Sequence, residues 1–155
     1  MAHLLNPRWV TGFVDGEGCF AINIYSRKDS KTPAVQFGFS IGLSERDFAI
    51  VKKIKNFFGI GFCSIRKNKE NRDAYYACNG PNAIREKIIP HFDKYLLQTE
   101  KRKSYELWKK GISVWKSNLS KKEKLLKLVE IREKMNPKGR KKPTVWNKER
   151  ILSYF

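Results

Sequence analysis

The sequence predicts an α+β protein in which helices cover one face of an antiparallel sheet. Two pairs of segments alternate apolar with polar residues, a pattern typical of half-buried strands, and segments with helical periodicity precede, separate and follow the pairs. The predicted order is therefore helix, strand, strand, helix, strand, strand, helix. Because 155 residues with 41% hydrophobic side chains suffice for one core, a single domain over residues 1–155 is expected.

The first helix is predicted over residues 7–15. Asn6, followed by a proline, is a favourable N-cap. Gly16 and Gly18 are expected to end the helix because they permit a backbone conformation that other residues resist. Glu17 would then lie directly between the helix and the first strand.

One face of this helix is nearly bare. Gly12 and Gly16 are four residues apart and so share that face, which leaves room for a second backbone to approach closely. A bare face beside the carboxylate of Glu17 predicts a site shared between two helices. The alternative is an ordinary amphipathic helix that ends in a Gly-rich turn with an exposed glutamate.

The strands are predicted to form two hairpins. Residues 19–25 and 35–44 form the first, joined by a basic loop over residues 26–32 with Pro33. Ser44 with Asp47 then resembles a capping box, at the start of a second helix. The remaining predicted features are a helix stop at Gly59, strands over residues 61–67 and 74–79, and a helix that Pro81 opens and Pro90 limits.

A helical, basic extension is predicted to follow the core, which covers about residues 5–117, and to run to residue 155. Within it, Ser120 with Glu123 forms a capping box for one helix, and Asn147 begins a short terminal helix. Residues 136–143 form a basic loop, which either lies along flanking phosphates or is a disordered basic linker.

The charge of the chain indicates a polyanionic partner. There are 33 Lys and Arg against 15 Asp and Glu, a net charge of +18, and the pI is about 10.0. Residues 1–100 carry 15 basic and 10 acidic side chains, whereas residues 101–155 carry 18 and 5. No apolar run approaches the ~20 residues that span a bilayer, and the N-terminus does not resemble a signal peptide. An intracellular nucleic-acid-binding protein without a membrane partner is expected.

The cysteines and histidines do not form a recognisable site. Cys19, Cys63 and Cys78 show no C-x-x-C spacing and are expected to be buried, reduced thiols. His3 and His91 are too isolated to be metal ligands. No Ser-His-Asp or Cys-His arrangement is evident, so the sequence gives no support for a nucleophilic side chain.

The face of the sheet turned away from the helices is predicted to carry polar side chains, and the hairpin tips basic ones. Amide, hydroxyl and guanidinium groups read base edges in a major groove that admits a β-ribbon, while basic tips hold phosphates. The alternative for each residue is an ordinary solvated sheet face. The predicted DNA-binding residues are Asn23, Tyr25, Arg27, Lys28, Lys31, Gln36, Ser40, Ser64, Arg66, Lys67, Lys69, Arg72 and Tyr75.

Three segments, in order along the chain, together resemble one known family. They are Val-Thr-Gly-Phe-Val-Asp-Gly-Glu-Gly at residues 10–18, Phe-Phe-Gly-Ile-Gly at residues 57–61 and Leu-Gln-Thr-Glu-Lys at residues 97–101. The first resembles the motif of the LAGLIDADG homing endonucleases, with Glu17 in place of the final acid. The second resembles that family's helix-to-third-strand junction, and the third resembles the stretch that supplies its active-site lysine.

This resemblance implies an αββαββα homing-endonuclease fold whose saddle-shaped antiparallel sheet lies in the major groove. Only one copy of the motif is present, and single-motif members of the family are homodimers, so the resemblance implies a homodimer. A twofold axis would place the same residues on both sides. The implied interface residues are Trp9, Thr11, Gly12, Phe13 and Gly16.

The resemblance also implies the chemistry. Two copies of Glu17, with the backbone of Gly16, would bind Mg²⁺, or Mn²⁺ or another divalent cation in its place, and Lys101 would offset negative charge at the phosphate. The target would be double-stranded DNA, nearly palindromic and roughly 20 bp long, given ~10 bp per turn.

Two other functions are compatible with the same fold. One is an intron maturase, which binds intron RNA and assists splicing, and the other is a basic protein that binds DNA without cutting it. Glu17 together with Lys101 favours catalysis. The resemblance further implies an origin in a mobile intron or intein, commonly in an organelle such as a mitochondrion or chloroplast.

Overall fold

The computed structural model describes residues 4–135 and 144–155 and confirms the α+β fold. Its strands form one open antiparallel sheet in the order β1-β2-β4-β3. None of the helices within the described residues is long and apolar enough to cross a membrane. The elements are α1 (Pro7–Glu17), β1 (Gly18–Arg27), β2 (Ser30–Ser44), a 3₁₀ turn (Glu45–Asp47), α2 (Phe48–Phe58), β3 (Phe62–Lys67), β4 (Arg72–Cys78), α3 (Pro81–Ala83), a π turn (Ile84–Ile88), α4 (Ile89–Lys94), α5 (Lys101–Lys116), α6 (Lys121–Met135) and α7 (Lys148–Tyr154).

Helix α1 begins as predicted but ends two residues later. Asn6 Oδ1 accepts hydrogen bonds from the backbone N–H groups of Arg8 and Trp9, at 2.8 and 3.3 Å, which confirms the N-cap. The expected unusual backbone at the glycines after residue 15 is wrong, because neither has a positive φ. Gly18 is required for a different reason: a Cβ there would lie 2.5 Å from Val14 Cγ1.

The predicted loop over residues 26–32 is wrong. Only residues 28–29 form the turn, so β1 and β2 continue through most of the basic segment. Pro33 lies within β2, which is possible because β4 pairs with β2 only at residues 39–44 and leaves the strand unpaired on that side at Pro33. The hydrophobic alternation predicted the strand, but the polar composition concealed where it starts.

Two predicted helix boundaries also need correction. Neither Ser44 nor Asp47 makes a capping hydrogen bond, and a 3₁₀ turn precedes α2 instead. Pro90 does not limit the helical segment. It lies in the first turn of α4, where the missing N–H is not needed, and a π turn precedes it.

Other caps are confirmed. Ser120 N donates to Glu123 Oε2 at 2.9 Å, and Glu123 N donates to Ser120 Oγ at 3.3 Å, which is the predicted capping box. Asn147 Oδ1 accepts from Arg150 N at 2.9 Å. The predicted basic loop over residues 136–143 and the isolated His3 lie outside the described residues.

The described residues group into two compact units. The first unit contains residues up to 20 and residues 38–102, and the second contains residues 21–37 and those from 103 onward. Aromatic rings dominate the core of the first unit. There the ring of Phe39 has its centroid 5.3 Å from that of Phe20 and 5.6 Å from those of Phe58 and Phe92.

The core of the second unit is built around Trp108, which is fully buried. Its Nε1–H donates to Ala21 O at 3.1 Å. The C-terminal segment joins the same unit, since Trp146 is 4% exposed and its Nε1–H donates to Ser26 Oγ at 3.0 Å. Buried Arg132 donates to Trp146 O at 2.6 Å, which ties this segment to α6.

Candidate functional site

The C-terminal end of α1 presents an exposed carboxylate. Glu17 is the last residue of the helix, and Gly18 opens β1 without an intervening loop. A helix C-terminus carries a partial negative charge from its unpaired carbonyl groups, so a carboxylate there adds to a negative potential. Such a position favours a cation. Gly16, also predicted at the site, is exposed and contributes one of these last-turn carbonyls.

A second acid of α1, Asp15, has a different task that the sequence did not reveal. Its carboxylate accepts hydrogen bonds from Gln98 N at 2.8 Å, Thr99 N at 3.1 Å and Thr99 Oγ1 at 2.8 Å. Burial alone would raise the pKa of Asp15, but these hydrogen bonds outweigh it and hold the pKa below its ordinary value. Asp15 therefore fixes the loop that leads into α5.

That loop positions Lys101, the first residue of α5. Lys101 N donates to Thr99 Oγ1 at 3.2 Å, and Lys101 Nζ donates to Val14 O at 3.0 Å. Burial lowers the pKa of Lys101, while the charges of Cys19, Asp15 and Glu17 act in the opposite direction. The lysine that the sequence singled out thus lies at the same helix end as both acids.

The donor set at this helix end suits a hard cation but is incomplete within one chain. In residues 4–135 and 144–155, no group of three or more His, Cys, Asp or Glu side chains gathers to hold a metal ion. Mg²⁺ is typically bound through one or two carboxylates, with water and phosphate oxygens completing its shell. Glu17 therefore fits as one ligand of a site that other molecules must complete.

The free thiols differ from expectation at one position. Cys78 is buried and Cys63 half-buried, with Cys63 Sγ 3.7 Å from Val51 O, whereas Cys19 is exposed. Cys19 was expected to be buried. It follows Gly18 on the polar side of β1, because Phe20 takes the buried side.

One stripe of α1 is exposed, and we call Trp9, Gly12, Phe13 and Gly16 the α1 stripe. Trp9 is 44% exposed and its ring stacks on that of Phe13, with centroids 5.0 Å apart. A Cβ at Gly12 or Gly16 would meet no atom within 4 Å. The bare face predicted from the sequence is therefore present and unoccupied by the described residues of this chain.

Thr11 does not belong to this stripe. It is 6% exposed, and its hydroxyl donates to Tyr95 O at 3.1 Å and accepts from His91 Nε2 at 3.0 Å. The prediction of Thr11 as an interface residue is wrong because one residue step along a helix turns the side chain by about 100°. Thr11 instead joins α1 to α4 and the segment after it.

The first unit supplies one half of the predicted DNA face. Tyr75 in β4 lies directly opposite Gly42 of β2 and Ser64 of β3, and these paired residues share a face of the sheet. Tyr76 next to Tyr75 is fully buried on the helix side. On the open face of β3 and β4 we call Phe62, Ser64, Arg66 and Tyr75 the β3–β4 face; Asp73 and Ala77 lie on the same side, and Ser40 lies beyond them on β2.

Phe62 is the member of this face that sequence reasoning missed. It is 47% exposed, and its ring centroid lies 6.4 Å from that of Tyr75. Alternation with half-buried Cys63 was the available signal, but an apolar residue at a strand start is usually taken as core.

The second unit brings together three other predicted residues. Asn23, Tyr25 and Gln36 line one cavity of about 730 Å³ with residues of the C-terminal segment, including Thr144 and Trp146. The C-terminal segment therefore borders these polar side chains, an arrangement the sequence did not indicate.

Some side chains of the basic hairpin tips form ion pairs, and others are exposed. Arg72 forms an ion pair with Glu45 at 2.8 Å, and Arg27 forms one with Asp29. Lys67 pairs directly with Arg72 and so shares the helix-side face, not the face of Arg66. Lys28, Lys31 and Lys69 are exposed. Lys67 ends β3 and Arg72 begins β4, so both lie at the hairpin tip, as predicted, and their binding of phosphates stays a prediction.

Comparison with known proteins adds independent information. The family model described as LAGLIDADG endonuclease matches residues 10–112. Probable intron-encoded endonuclease Cox1-I1b of Schizosaccharomyces pombe is 32% identical over 147 residues, which cover 94% of this chain and 37% of that protein. The chain spans between 25% and 37% of the length of the curated relatives considered.

Two solved structures extend the comparison. I-SmaMI bound to an uncleaved DNA target in the presence of calcium ions has a TM-score of 0.76 and 31% identity, covering 88% of this chain and 47% of that one. The homing endonuclease I-TnaI has a TM-score of 0.75 and 29% identity, covering 98% of this chain and 97% of that one.

Proposed function

The chain belongs to the LAGLIDADG endonuclease family, and on that premise we propose that it is a homodimeric, metal-dependent endonuclease that cuts double-stranded DNA at one long, nearly palindromic site. The observation that carries the proposal is the convergence of Glu17 and Lys101 at the exposed end of α1. A carboxylate for a divalent cation and an ammonium group for a phosphate are the groups that phosphodiester hydrolysis needs.

Each of these side chains has a distinct role in the proposed mechanism. Glu17 would hold a divalent cation, which would supply Lewis-acid chemistry by lowering the pKa of a bound water and offsetting charge on the phosphate. Lys101 stabilises negative charge that develops on the scissile phosphate. The backbone carbonyl of Val14 and the loop fixed by Asp15 hold Lys101 in place, so positioning precedes substrate binding.

A second copy of the chain would complete the site. The α1 stripe is bare where a twin helix must approach, and its symmetric packing brings two Glu17 carboxylates together. The near end-to-end match to I-TnaI, a chain of similar length, supports a protein of this size as a working subunit. The DNA and calcium ions present with I-SmaMI support a DNA substrate and a divalent cation.

The proposed cellular setting follows from the relatives. One is named for an intron of cox1, a mitochondrial gene, so we place the protein in an organelle. Its net charge of +18 agrees with a polyanionic partner.

The test is a cleavage selection on a randomised duplex-DNA library, with Mg²⁺ or with EDTA, followed by sequencing of the cut ends. We expect cuts with Mg²⁺ at one long, roughly symmetric site and none with EDTA.

The variant Glu17→Gln keeps the shape of the side chain and removes its negative charge. It should bind the site and leave it uncut, with at least a hundredfold loss of cleavage rate. Glu130→Gln makes the same change on the exposed surface of α6 and should cut normally.

Two results would reject parts of this proposal. Cleavage by Glu17→Gln at the normal rate would remove Glu17 from the site. Binding of intron RNA or DNA by the native chain without any cleavage would favour a maturase or a non-cleaving DNA-binding protein.

A further inference from the structure

Three side chains of the β3–β4 face lie side by side, and two of them, Arg66 and Tyr75, form a stack. The guanidinium carbon of Arg66 lies 3.1 Å from the centre of the Tyr75 ring, and the Phe62 ring lies 6.4 Å from it, centroid to centroid. Along the strand direction Tyr75 lies between the other two. Its direct cross-strand neighbours, Ser64 and Gly42, are small, which leaves room for Arg66 and Phe62 beside the ring.

The stack holds Arg66 without using its hydrogen-bonding groups. Asp73 lies directly opposite Arg66 in the sheet, yet no ion pair joins them in the described part of the chain. A guanidinium group that stacks on a ring through its flat face keeps its N–H groups free at the edge. Arg66 is therefore exposed, oriented and unpaired with an acid.

Phe62 is an exposed aromatic residue beside the polar side chains of Ser64 and Arg66. Its 47% exposure leaves an aromatic ring at the open surface of the first unit. In a major groove, an apolar side chain of this kind contacts the C5 methyl group of thymine, and arginine donates two hydrogen bonds to O6 and N7 of guanine.

We propose that Arg66, Tyr75 and Phe62 form one base-reading unit, in which Arg66 reads a guanine, Phe62 contacts a thymine methyl group, and Tyr75 positions Arg66. The inference rests on the proposed function, which brings DNA to this face. Four residues of strand separate Phe62 from Arg66, about 14 Å at 3.4 Å per residue, so the thymine lies within about four base pairs of the guanine at 3.4 Å per pair.

The first step of the test is a binding selection by the native protein on a randomised duplex library in Ca²⁺, followed by sequencing. We expect each half-site to contain a strongly preferred guanine and a thymine within about four base pairs of it. Failure to enrich any sequence would overturn the proposed function and this inference with it. An enriched site that lacks a guanine and a thymine at this spacing would overturn this inference but leave the proposed function intact.

The second step tests Arg66 and Tyr75 on the selected site. Arg66→Ala should lose about tenfold to hundredfold in preference for guanine at one position, and the loss should become smaller when 7-deazaguanine, which lacks the N7 acceptor, replaces that guanine. Tyr75→Leu should reduce the same preference several-fold, whereas Tyr75→Phe keeps the ring and should preserve it. Lys69→Ala, at the hairpin tip, should weaken binding to all sequences equally.

The third step tests Phe62 with a methyl group removed from the DNA. Replacing the thymine by deoxyuridine should weaken binding by the native protein several-fold, and Phe62→Ser should weaken binding to the thymine site by a similar factor. The two changes together should cost no more than either alone. Additive losses would overturn the Phe62 contact, and an unchanged guanine preference in Tyr75→Leu would overturn the positioning role of Tyr75.

Discussion

At the scale of single residues, His91 shows how burial suppresses charge. Its ring lies among those of Phe57, Phe58 and Phe92, with centroids 4.7 to 5.3 Å away. Because the Thr11 hydroxyl donates to Tyr95 O, it must accept from His91, which assigns the proton to Nε2. Desolvation lowers the pKa of His91 to about 4, so the ring is neutral at pH 7.

Stability should therefore fall as the pH is lowered from 6.5 towards 4. In this window the unfolded chain binds a proton at residue 91 and the folded chain does not, so the free energy of unfolding drops by up to about 3 kcal/mol. Above pH 6.5 the contribution of this residue is constant. Urea unfolding at several pH values, at fixed protein concentration, measures the effect.

The variant His91→Phe cannot take up this proton. We expect its free energy of unfolding to change much less between pH 6.5 and 4 than that of the native chain, although its stability at pH 7 is lower because Thr11 loses a donor. An equally steep fall in the variant would show that another group is responsible.

At the residue scale, the sequence predicted the charged side chains of the site better than the hydrogen-bond partners that hold them. Glu17 and Lys101 were predicted, and both lie at the end of α1. Asp15 was passed over because its partners are backbone N–H groups more than 80 residues away, and periodicity carries no information on such contacts. Thr11 was misplaced because neighbouring residues on a helix differ in direction by a wide angle.

At the scale of elements, the junction of α2 with β3 depends on two glycines that are required for different reasons. Both Gly59 and Gly61 have a positive φ, 71° and 82°. A Cβ at Gly59 would meet no atom within 4 Å, whereas a Cβ at Gly61 would lie 2.4 Å from Ala77 O and 2.7 Å from Tyr76 Cε2. Position 59 requires glycine only for its backbone conformation. Position 61 requires it also because there is no space for a Cβ atom.

Alanine substitutions should separate these two requirements. Gly59→Ala should destabilise the fold by about 1 kcal/mol, the cost of a left-handed residue with a Cβ. Gly61→Ala should lose about 3 kcal/mol or more, because backbone atoms of β4 cannot move away cheaply. Thermal or urea unfolding of the two variants measures the difference, and equal losses would contradict the close packing at Gly61.

Element types were more predictable than element ends. Alternation and caps gave the order of helices and strands, and the caps at Asn6, Ser120 and Asn147 are as predicted. The element ends that were predicted wrongly, at residues 26–32 and at Pro90, depend on strand pairing and on backbone geometry that the local sequence does not encode. A basic strand resembles a loop when its partner is unknown, and a proline is tolerated where no N–H is needed.

At the scale of the whole molecule, the α1 stripe should determine assembly. If a second copy packs on it, Gly12→Leu should separate the two helices and lower the dimer fraction at least tenfold, since the bare surface is what permits close approach. Sedimentation velocity over a range of protein concentrations measures the dimer fraction. An unchanged fraction would move the interface elsewhere.

The matched control adds the same side chain on another helix. Ala49 is exposed in α2, and Ala49→Leu should leave the dimer fraction unchanged. A loss in both variants would indicate general destabilisation and count against the α1 stripe as the interface. The homodimer itself was predicted from the resemblance, and the exposed stripe is the structural feature that now makes it testable.

The absence of a loop between α1 and β1 limits how this protein can change over evolution. An insertion of one residue at the Glu17–Gly18 boundary would move every β1 side chain to the opposite face of the sheet, and Gly18 itself has no space for a larger residue. Exposed positions of β3, by contrast, can be exchanged one at a time. New DNA targets should therefore arise by substitution on the sheet, while insertions and deletions accumulate at the hairpin tips and never at this boundary.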